Sequence, residues 1–545
     1  MQVLKRDIRR PPLPINPPST TDLPAGHVKQ PGSRLLPTDI RFDHNHAFPM
    51  RDGIKLRADI FRPVTSDTTP VPAIISWGPY GKTNTGVFTL DAFALRSGVR
   101  KSKQSGYESF EALDPVEWVP RGYAVINVDS RGSGDSEGDL RFWGSPEGQD
   151  GHDFIEQIAA QPWCSGRVAM AGNSWLAMAQ WFIASEQPPH LACIAPMEGL
   201  SDVLRDHIGR GGIENSGFTK MVASVLMGRG EQEDVVGMFE KDPFRSEYWD
   251  DKRADFSKIQ VPAYIVASYS TPLHNPGTFR AFREILHDKK WLSVHSTQEW
   301  HDICSEERTE DLAKFFDFYL NNIQNGWEET DPATKPASPQ HLNHGPGELL
   351  FTYTFPHKTL LAGPSKLTIH LSSDSQDDLD IYVQLRKADA HGTLLSSLNM
   401  SLSDLGVAST ADVPRVSSLW YIGSSGQLRA SRRAVDAELS APWWQTLSHA
   451  KEDVKLVKCR EVVRLEVFLW PTGMVFEEGE RLVLKVAGHS MELADFEGLP
   501  IVSGYTKTEN ISSTEFRGIL ITLKGFEILL LVCWLLKYSR EESTT

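Results

Sequence analysis

Short apolar runs separated by longer polar segments dominate the first part of the chain. They occupy residues 71–77, 123–128, 168–171, 192–196, 263–267 and 291–294, which we number as predicted strands three to eight. Uninterrupted runs of this length are typical of strands that are buried on both faces of a mainly parallel sheet. Residues 54–60 instead alternate with period two, as a half-buried antiparallel strand does. The pattern predicts a doubly wound α/β sheet.

Two further segments complete this predicted domain. Residues 202–259 are polar and helical in composition, and they separate the sixth predicted strand from the seventh. An insertion at that point predicts a cap over an active site. Residues 312–320 predict a closing helix, and residues 325–347, rich in Pro, Thr, Asn and Gly, predict a linker. We therefore expect an α/β domain over residues 39–335.

The last third of the chain has a different periodicity. Residues 367–371, 379–385, 463–467 and 482–486 alternate between apolar and polar positions. Such alternation favours an all-β sandwich of jelly-roll type, which we expect over residues 336–505. This second domain carries no evident chemistry of its own.

The two ends of the chain differ from both domains. Residues 1–38 are rich in proline and lack the apolar core of a secretory signal, so we expect a disordered arm, with a targeting role for its arginines as the alternative. Within residues 506–545, the apolar stretch 528–536 is short for a membrane span. Three interpretations stay open for it: a marginal anchor, a tail helix, or a terminus misread from its gene. We expect a cytoplasmic protein without membrane attachment.

Composition argues against two classes of function, nucleic-acid binding and metal binding. The chain has 545 residues and a net charge of -15, which gives no basic footprint for nucleic acid. Its five cysteines show neither CxxC pairs nor zinc-finger spacing, which suggests free thiols in a reducing compartment and no metal site. A small-molecule ester or acyl compound is the expected partner, and a homo-oligomer is compatible with the composition.

One serine stands in the context that a catalytic nucleophile needs. Ser174 follows the predicted strand 168–171 and precedes a helical run at 178–184. In a nucleophile elbow, a glycine such as Gly172 relieves crowding in the turn, and the amide of the next residue, here Trp175, can face a developing oxyanion. A Gly-x-Ser triplet alone also fits an ordinary turn or a helix cap. Ser174 is the candidate nucleophile.

The loop after the third predicted strand supplies a second candidate. Enzymes with such an elbow place their second oxyanion donor in this loop. Tyr80 lies there and could offer its phenolic hydroxyl in place of a backbone amide. A packing aromatic is the alternative interpretation.

Several features together resemble the cocaine esterase and X-prolyl dipeptidyl peptidase group of α/β-hydrolases, which includes CocE/NonD family hydrolases. They are residues 79–82, the run 129–138, the turn at Ser174 and the β-rich last third. The similarity covers approximately residues 39–488, and 129–138 is its most specific motif. The resemblance implies an α/β-hydrolase domain with a helical cap, a jelly-roll domain, Ser174 as nucleophile, an oxyanion hole of Tyr80 and the Trp175 amide, and no cofactor.

The catalytic acid departs from the pattern of this group. Its members carry a carboxylate in a Gly-Trp-x-Asp segment after the seventh strand, where this chain has Ser-Tyr-Ser-Thr at residues 268–271. Glu198 and Asp202, after the sixth predicted strand, could orient the histidine instead. A surface carboxylate or a helix cap is an equally good interpretation of either residue.

The general base is expected in the loop after the eighth predicted strand. His301 is preferred there, because it lies far enough beyond the strand to reach a nucleophile on a neighbouring loop. His295 at the strand end is its rival, and His274 near the same rim is a third candidate.

These residues favour an ester or amide hydrolase that works through a Ser174 acyl-enzyme. An ester is preferred to an X-prolyl peptide, because nothing in residues 202–259 identifies an anionic subsite, although Glu214, Glu231, Glu233 and Asp234 are available. Two alternatives stay open: an acyltransferase or cyclase of secondary metabolism that uses the same site, and a catalytically impaired binding protein.

Overall fold

The computed structural model describes residues 2–8, 14–84, 86, 88–271, 273–330, 339–342, 348–373, 377–491, 520–525 and 528–533. The strands of its N-terminal part are β1 (Lys5–Asp7), β2 (Ser19–Leu23), β3 (Ile40–Pro49), β4 (Lys55–Pro63), β5 (Val71–Gly78), β6 (Ala124–Asp129), β7 (Cys164–Asn173), β8 (Leu191–Met197), β9 (Glu231–Glu233), β10 (Ala263–Ser268) and β11 (Lys290–His295). The α-helices are α1 (Pro115–Trp118), α2 (Ser145–Ala159), α3 (Trp175–Ser185), α4 (Gly217–Val225), α5 (Val235–Lys241), α6 (Glu247–Asp251), α7 (Asn275–Glu284), α8 (Glu299–Ile303) and α9 (Glu306–Asn321).

A mixed sheet of nine strands organises this part, in the order β2-β3-β4-β6-β5-β7-β8-β10-β11. The pairs from β6 to β11 are parallel, whereas β2, β3, β4 and β6 pair antiparallel. β6 and β10 are buried along their whole length, since helices cover both faces of the sheet. α3 packs in the core on one face and α9 in the core on the other. The doubly wound α/β prediction is confirmed.

The segment between β8 and β10 is the expected insertion. It contains a turn of π-helix at Val203–Ile208, then α4, β9, α5 and α6. Its apolar side chains join the same core as α3, so that this segment covers the sheet end that carries α3. We refer to residues 202–259 as the cap.

In its described residues the C-terminal part consists mainly of strands, with one short α-helix and three single turns of 3-10 helix. Its elements are β12 (Pro339–Leu342), β13 (Glu348–Thr354), β14 (Thr359–Leu371), β15 (Asp380–Ala388), β16 (Leu394–Leu398), α10 (Leu402–Leu405), β17 (Trp420–Tyr421), β18 (Ser425–Arg429), β19 (Val463–Phe476), β20 (Arg481–Ala487), β21 (Leu520–Gly525) and β22 (Ile528–Cys533). One sheet contains β12, β13, β15, β16, β17, β18 and β20, and the other contains β14, β19, β21 and β22. Leu367 and Leu465 from one sheet pack with Val383 and Leu484 from the other. A two-sheet sandwich is therefore present, and its jelly-roll type stays a prediction.

Residues 1–38 were expected to form a disordered arm. This expectation is wrong for part of the arm, which forms strands. β2 adds to β3 at the edge of the large sheet, and β1 pairs with β9 of the cap. Backbone pairing with an open strand edge orders both segments, although β2 is almost fully exposed and has no apolar pattern. Residues 9–13 of the arm lie outside the described residues.

Part of the tail differs from one of the three interpretations, the tail helix. β21 and β22 pair with each other, and β21 pairs with β14, so the part of the tail that the structure describes is strand rather than helix. The remainder of residues 506–545 lies outside the described ranges. Across those ranges, no helix has both the length and the apolar composition to cross a membrane.

Candidate active site

Ser174 occupies the sharp turn between β7 and α3. Its backbone has φ 56° and ψ -116°, a combination that L-residues avoid unless the surroundings impose it. Gly172 makes the turn sterically feasible, because it has φ 141° and a Cβ there would lie 2.6 Å from the Cβ of Leu176. The Ser174 amide donates to the carbonyl oxygens of Met197 and Glu198, at 3.2 and 3.1 Å. Neighbouring β8 therefore fixes the strained residue in place.

Two hydrogen-bond donors flank Ser174. Trp175 is the first residue of α3, where an amide has no acceptor within the helix. Tyr80 comes from the loop after β5 and shares a cavity with Ser174 and Trp175. Burial, then the charge of Glu111, raises the pKa of Tyr80, while its hydrogen bond with Ser174 acts in the opposite direction. Tyr80 is therefore a neutral phenol that can donate to an oxygen anion.

The run 129–138 fixes the loop that carries Tyr80. Asp129 accepts from the Lys82 amide at 2.8 Å and from the Lys82 ammonium at 2.9 Å, and Asp135 accepts from the same ammonium at 3.0 Å. Gly134 is required because a Cβ there would lie 2.2 Å from an oxygen of Asp129. The run 129–138 therefore holds Tyr80 in position. Its sequence alone did not reveal this role.

The cavity beside Ser174 is mainly apolar. Its polar lining residues are Tyr80, Ser174, His207, Thr219 and His274. The apolar ones are Phe142, Trp143, Trp175, Met178, Leu200, Val203, Phe218, Val222, Val235 and Leu273. Several come from the cap, as the sequence analysis expected of residues 202–259. Among the described residues that line this cavity, none carries a carboxylate.

His274 and His207 are the two histidines among the described residues that line the cavity with Ser174, and of these His274 is paired with a carboxylate. It lies in the loop after β10, directly before α7, and its Nδ1 is 3.0 Å from the Oε2 of Glu299 at the start of α8. Burial would lower the pKa of His274, but the carboxylates of Glu299 and Glu198 together raise it. The ring N–H does not point at the carboxylate oxygen, so the contact is an ion pair without hydrogen-bond alignment. Such loose geometry is common in sites without substrate.

His295 is held by other partners. Its Nε2 is 2.8 Å from the Oε1 of Glu198, and its Nδ1 is 2.9 Å from the Oγ1 of Thr297. Asp302 lies 3.6 Å from the same Nε2. Burial would lower the pKa of His295, but Asp302 and then Glu198 raise it. Both ring nitrogens therefore face protein groups, and His295 does not line the Ser174 cavity.

His301 and Asp202 also lie away from the cavity. The Nε2 of His301 is 3.4 Å from Asp404 of the β domain. Asp202 caps the π-helical turn by accepting from the Arg205 amide, and it pairs with the Arg205 guanidinium at 2.9 Å. The preference for His301 rested on its distance from the strand end. α8 directs this side chain toward the β domain instead.

Glu111 is a buried carboxyl group that the sequence did not single out. Its Oε1 accepts from the Trp300 indole at 3.1 Å, and its backbone carbonyl accepts from the Asn173 amide at 3.0 Å. Burial, then the nearby Glu299, raises the pKa of Glu111 well above its usual range. A carboxyl group whose burial favours the neutral form therefore lies behind Tyr80, which also contributes to that pKa.

One group of side chains has the composition of a cation site. Glu198, His274 and Glu299 each place one ligand atom within 4.8 Å of the others, and all three are buried. Carboxylate and imidazole ligands suit several divalent metals. The same arrangement also allows two carboxylates to stabilise a protonated histidine, which is what a serine nucleophile needs from its base.

Two family models match the chain. The model of X-Pro dipeptidyl-peptidase of the S15 family matches residues 52–234, which include Ser174. The model of the X-Pro dipeptidyl-peptidase C-terminal non-catalytic domain matches residues 274–506. The second match agrees with the sequence analysis, which found no evident chemistry in the β-rich last third of the chain.

Individual relatives point to the same group. Cocaine esterase from Rhodococcus sp. is 34% identical over 161 residues, which are 30% of this chain and 24% of that protein. The crystal structure of a CocE/NonD family hydrolase from Staphylococcus aureus is 26% identical, with a TM-score of 0.77, and covers 94% of this chain and 99% of that chain. An α-amino acid ester hydrolase, 14% identical with a TM-score of 0.57 over 87% of this chain and 93% of that one, shows the fold alone. The chain spans 24% to 53% of the length of the curated relatives it matches.

Proposed function

Because this chain belongs to the cocaine esterase and X-prolyl dipeptidyl peptidase group of α/β-hydrolases, we propose that it cleaves carboxylic esters through a Ser174 acyl-enzyme. One observation carries the proposal: Ser174, Trp175, Tyr80 and His274 meet at one apolar cavity. A nucleophile, two donors and a histidine paired with a carboxylate are the groups that acyl transfer requires.

In this mechanism His274 is the general base. Its Nδ1 faces Glu299, so that Nε2, on the opposite side of the ring, accepts the Ser174 proton as the hydroxyl attacks the ester carbonyl. The Trp175 amide and the Tyr80 hydroxyl stabilise the resulting oxyanion. His274 then returns the proton to the departing alcohol, and water releases the acyl group by the same steps. Glu299 stabilises the imidazolium that forms twice in each cycle.

The cavity favours an uncharged acyl group over an X-prolyl peptide. A free peptide N-terminus needs an anionic partner, and the cavity lining described above has no carboxylate. The acidic residues of the cap have other partners. Glu214 is 3.6 Å from Lys220, and Glu233 is buried 2.9 Å from Lys252. We therefore place an ester, not a dipeptide, at Ser174.

Chemical rescue tests the assignment of the base. We expect Ser174→Ala and His274→Gly each to lower kcat/KM for p-nitrophenyl butyrate by about 1000-fold or more. Added imidazole should restore part of the activity of His274→Gly, because that ring borders the substrate cavity. It should not restore His295→Gly, whose ring lies between Glu198 and Thr297. Rescue of His295→Gly alone would make His295 the base, and full activity of Ser174→Ala would refute the acyl-enzyme.

A further inference from the structure

The Ser174 cavity has a second polar corner, formed by two residues of the cap. His207 lies in the π-helical turn Val203–Ile208, Thr219 lies in α4, and both line the cavity. They are 5% and 4% exposed. Neither has a role in the mechanism proposed above. Polar groups in a mainly apolar wall are the features that orient a ligand in such a cavity.

One nitrogen of the His207 ring has no protein partner. Nε2 is 2.6 Å from the Oγ1 of Thr219, whereas Nδ1 is buried without a hydrogen bond to any described residue. Phe218 packs edge-on against the ring, with centroids 5.6 Å apart, and restrains its orientation. Burial, then His274, lowers the pKa of His207 to about 4, so the ring is neutral at pH 7. A neutral imidazole offers Nδ1 as a donor or as an acceptor, according to its tautomer.

The backbone that carries His207 is held rigidly. Asp202 caps the turn through the Arg205 amide at 2.9 Å. The Arg205 guanidinium reaches the β domain, where it donates to the carbonyl oxygens of Leu447 at 2.8 Å and Ser448 at 3.1 Å. Turns of π-helix are rare and occur often at functional sites. Here the turn places Val203 and His207 at the cavity, one helical turn apart.

We infer that His207 and Thr219 form a subsite for a hydrogen-bonding substituent on the acyl group, so that esters of hydroxylated short-chain acids are better substrates than esters of plain ones. The inference rests on the proposed ester hydrolysis at Ser174. His207 and His274 line the same cavity as Ser174. The substituent is therefore expected within a few bonds of the reacting carbonyl.

Matched esters test this subsite. p-Nitrophenyl 3-hydroxybutyrate and 3-methylbutyrate differ by a hydroxyl in place of a methyl group of similar size. A second pair, the 2-hydroxybutyrate and 2-methylbutyrate esters, carries the same difference one carbon nearer the carbonyl. Each kcat/KM is divided by the rate of hydroxide hydrolysis of that ester. For the better-placed pair, we expect a hydroxyl-to-methyl ratio of about ten in the wild type, which corresponds to about 1.4 kcal/mol.

Two variants locate the preference. His207→Gln keeps a polar group near Thr219 but none at the position of Nδ1, and it should bring the ratio close to one. His207→Asn places an amide close to the position of Nδ1 and should keep the ratio within about threefold of the wild type. A general loss of activity in a variant lowers kcat/KM for both esters equally, so it leaves their ratio unchanged.

The outcomes separate this inference from the proposed function. Wild-type ratios near one for both pairs, with turnover that depends on Ser174, would refute the subsite and leave the hydrolase intact. A high ratio that persists in His207→Gln would refute the role of His207. If neither ester were cleaved in a manner dependent on Ser174, the hydrolase proposal itself would fail.

Discussion

Glu147→Gln is expected to stabilise the protein by an amount that grows as the pH rises from about 4.5 to 7. Glu147 lies in the first turn of α2 beneath the oxyanion side of the site, 2.9 Å from the Trp77 indole nitrogen and 3.4 Å from that of Trp175. It is 4% exposed, and its Oε2 has no partner among the described residues. Burial raises the pKa of Glu147 to about 7, although both indoles and Lys252 act to lower it.

The sign follows from proton linkage. Between the ordinary pKa of 4.5 and about 7, the folded protein keeps a proton that the unfolded chain has released, so the free energy of unfolding falls as pH rises. The penalty is absent below pH 4.5 and complete above about pH 7, where it amounts to about 3 kcal/mol. The amide introduced by Glu147→Gln would resemble the protonated acid in shape and hydrogen bonding, and it would not carry this penalty.

Thermal unfolding at two pH values measures the effect. The variant should melt higher than the wild type at pH 8.5, by roughly 1–2 °C per kcal/mol, and by only about a quarter as much at pH 5, where about 0.8 kcal/mol of the penalty is present. Glu233→Gln is the matched control, because it leaves the buried Lys252 without its carboxylate and should lower the melting temperature at both pH values. An equal difference at pH 5 and pH 8.5 would mean that Glu147 does not titrate in this range. The helix N-terminus would then stabilise its charge more than burial opposes it.

Three further substitutions test the site itself. Lys82→Met should lower kcat for p-nitrophenyl butyrate at least about tenfold with little change in KM, because the loop carrying Tyr80 loses its anchor, whereas the exposed Lys103→Met should have no effect. Tyr80→Phe should lower kcat by about 10- to 1000-fold, and an unchanged kcat would remove Tyr80 from the oxyanion hole. Glu299→Gln should lower kcat about 100-fold or more and shift the acid limb of the kcat/KM profile to lower pH. The reason is that Glu299 raises the pKa of His274, which must be neutral to act as a base. An acid limb of the kcat/KM profile that does not shift would contradict the pairing of His274 with Glu299.

The sequence located those features whose causes are local. The buried strands are visible as uninterrupted apolar runs, and the Ser174 turn is visible because Gly172 and the flanking strand and helix lie within a few residues of it. The strands of the N-terminal arm were not predicted, because their cause is not local in the sequence. Ser19–Leu23 is polar and exposed, and it becomes a strand only because the edge of β3 offers backbone partners. Pairing of that kind leaves no periodic signal in the sequence.

The base and its carboxylate depend on contacts between distant segments. The histidine was expected after the eighth predicted strand, at His301 or His295, and the acid after the sixth, at Glu198 or Asp202. In the proposed site His274 follows the seventh of those strands and its carboxylate partner, Glu299, follows the eighth. Nothing in the local sequence of either residue distinguishes it from His301 or Glu198. Only the fold shows that His274, of the three candidate histidines, lines the Ser174 cavity.

Labelling with a serine-directed fluorophosphonate is the most direct test of the acyl-enzyme. Intact-mass measurement of the wild-type protein should show a single adduct, and peptide mapping should place it on Ser174. A slow ester substrate should retard the labelling, because both compounds occupy the cavity that Ser174 shares with Tyr80 and His274. Ser174→Ala should remain unlabelled. An adduct that persists in Ser174→Ala, or that maps to another serine in the wild type, would contradict the assignment of the nucleophile.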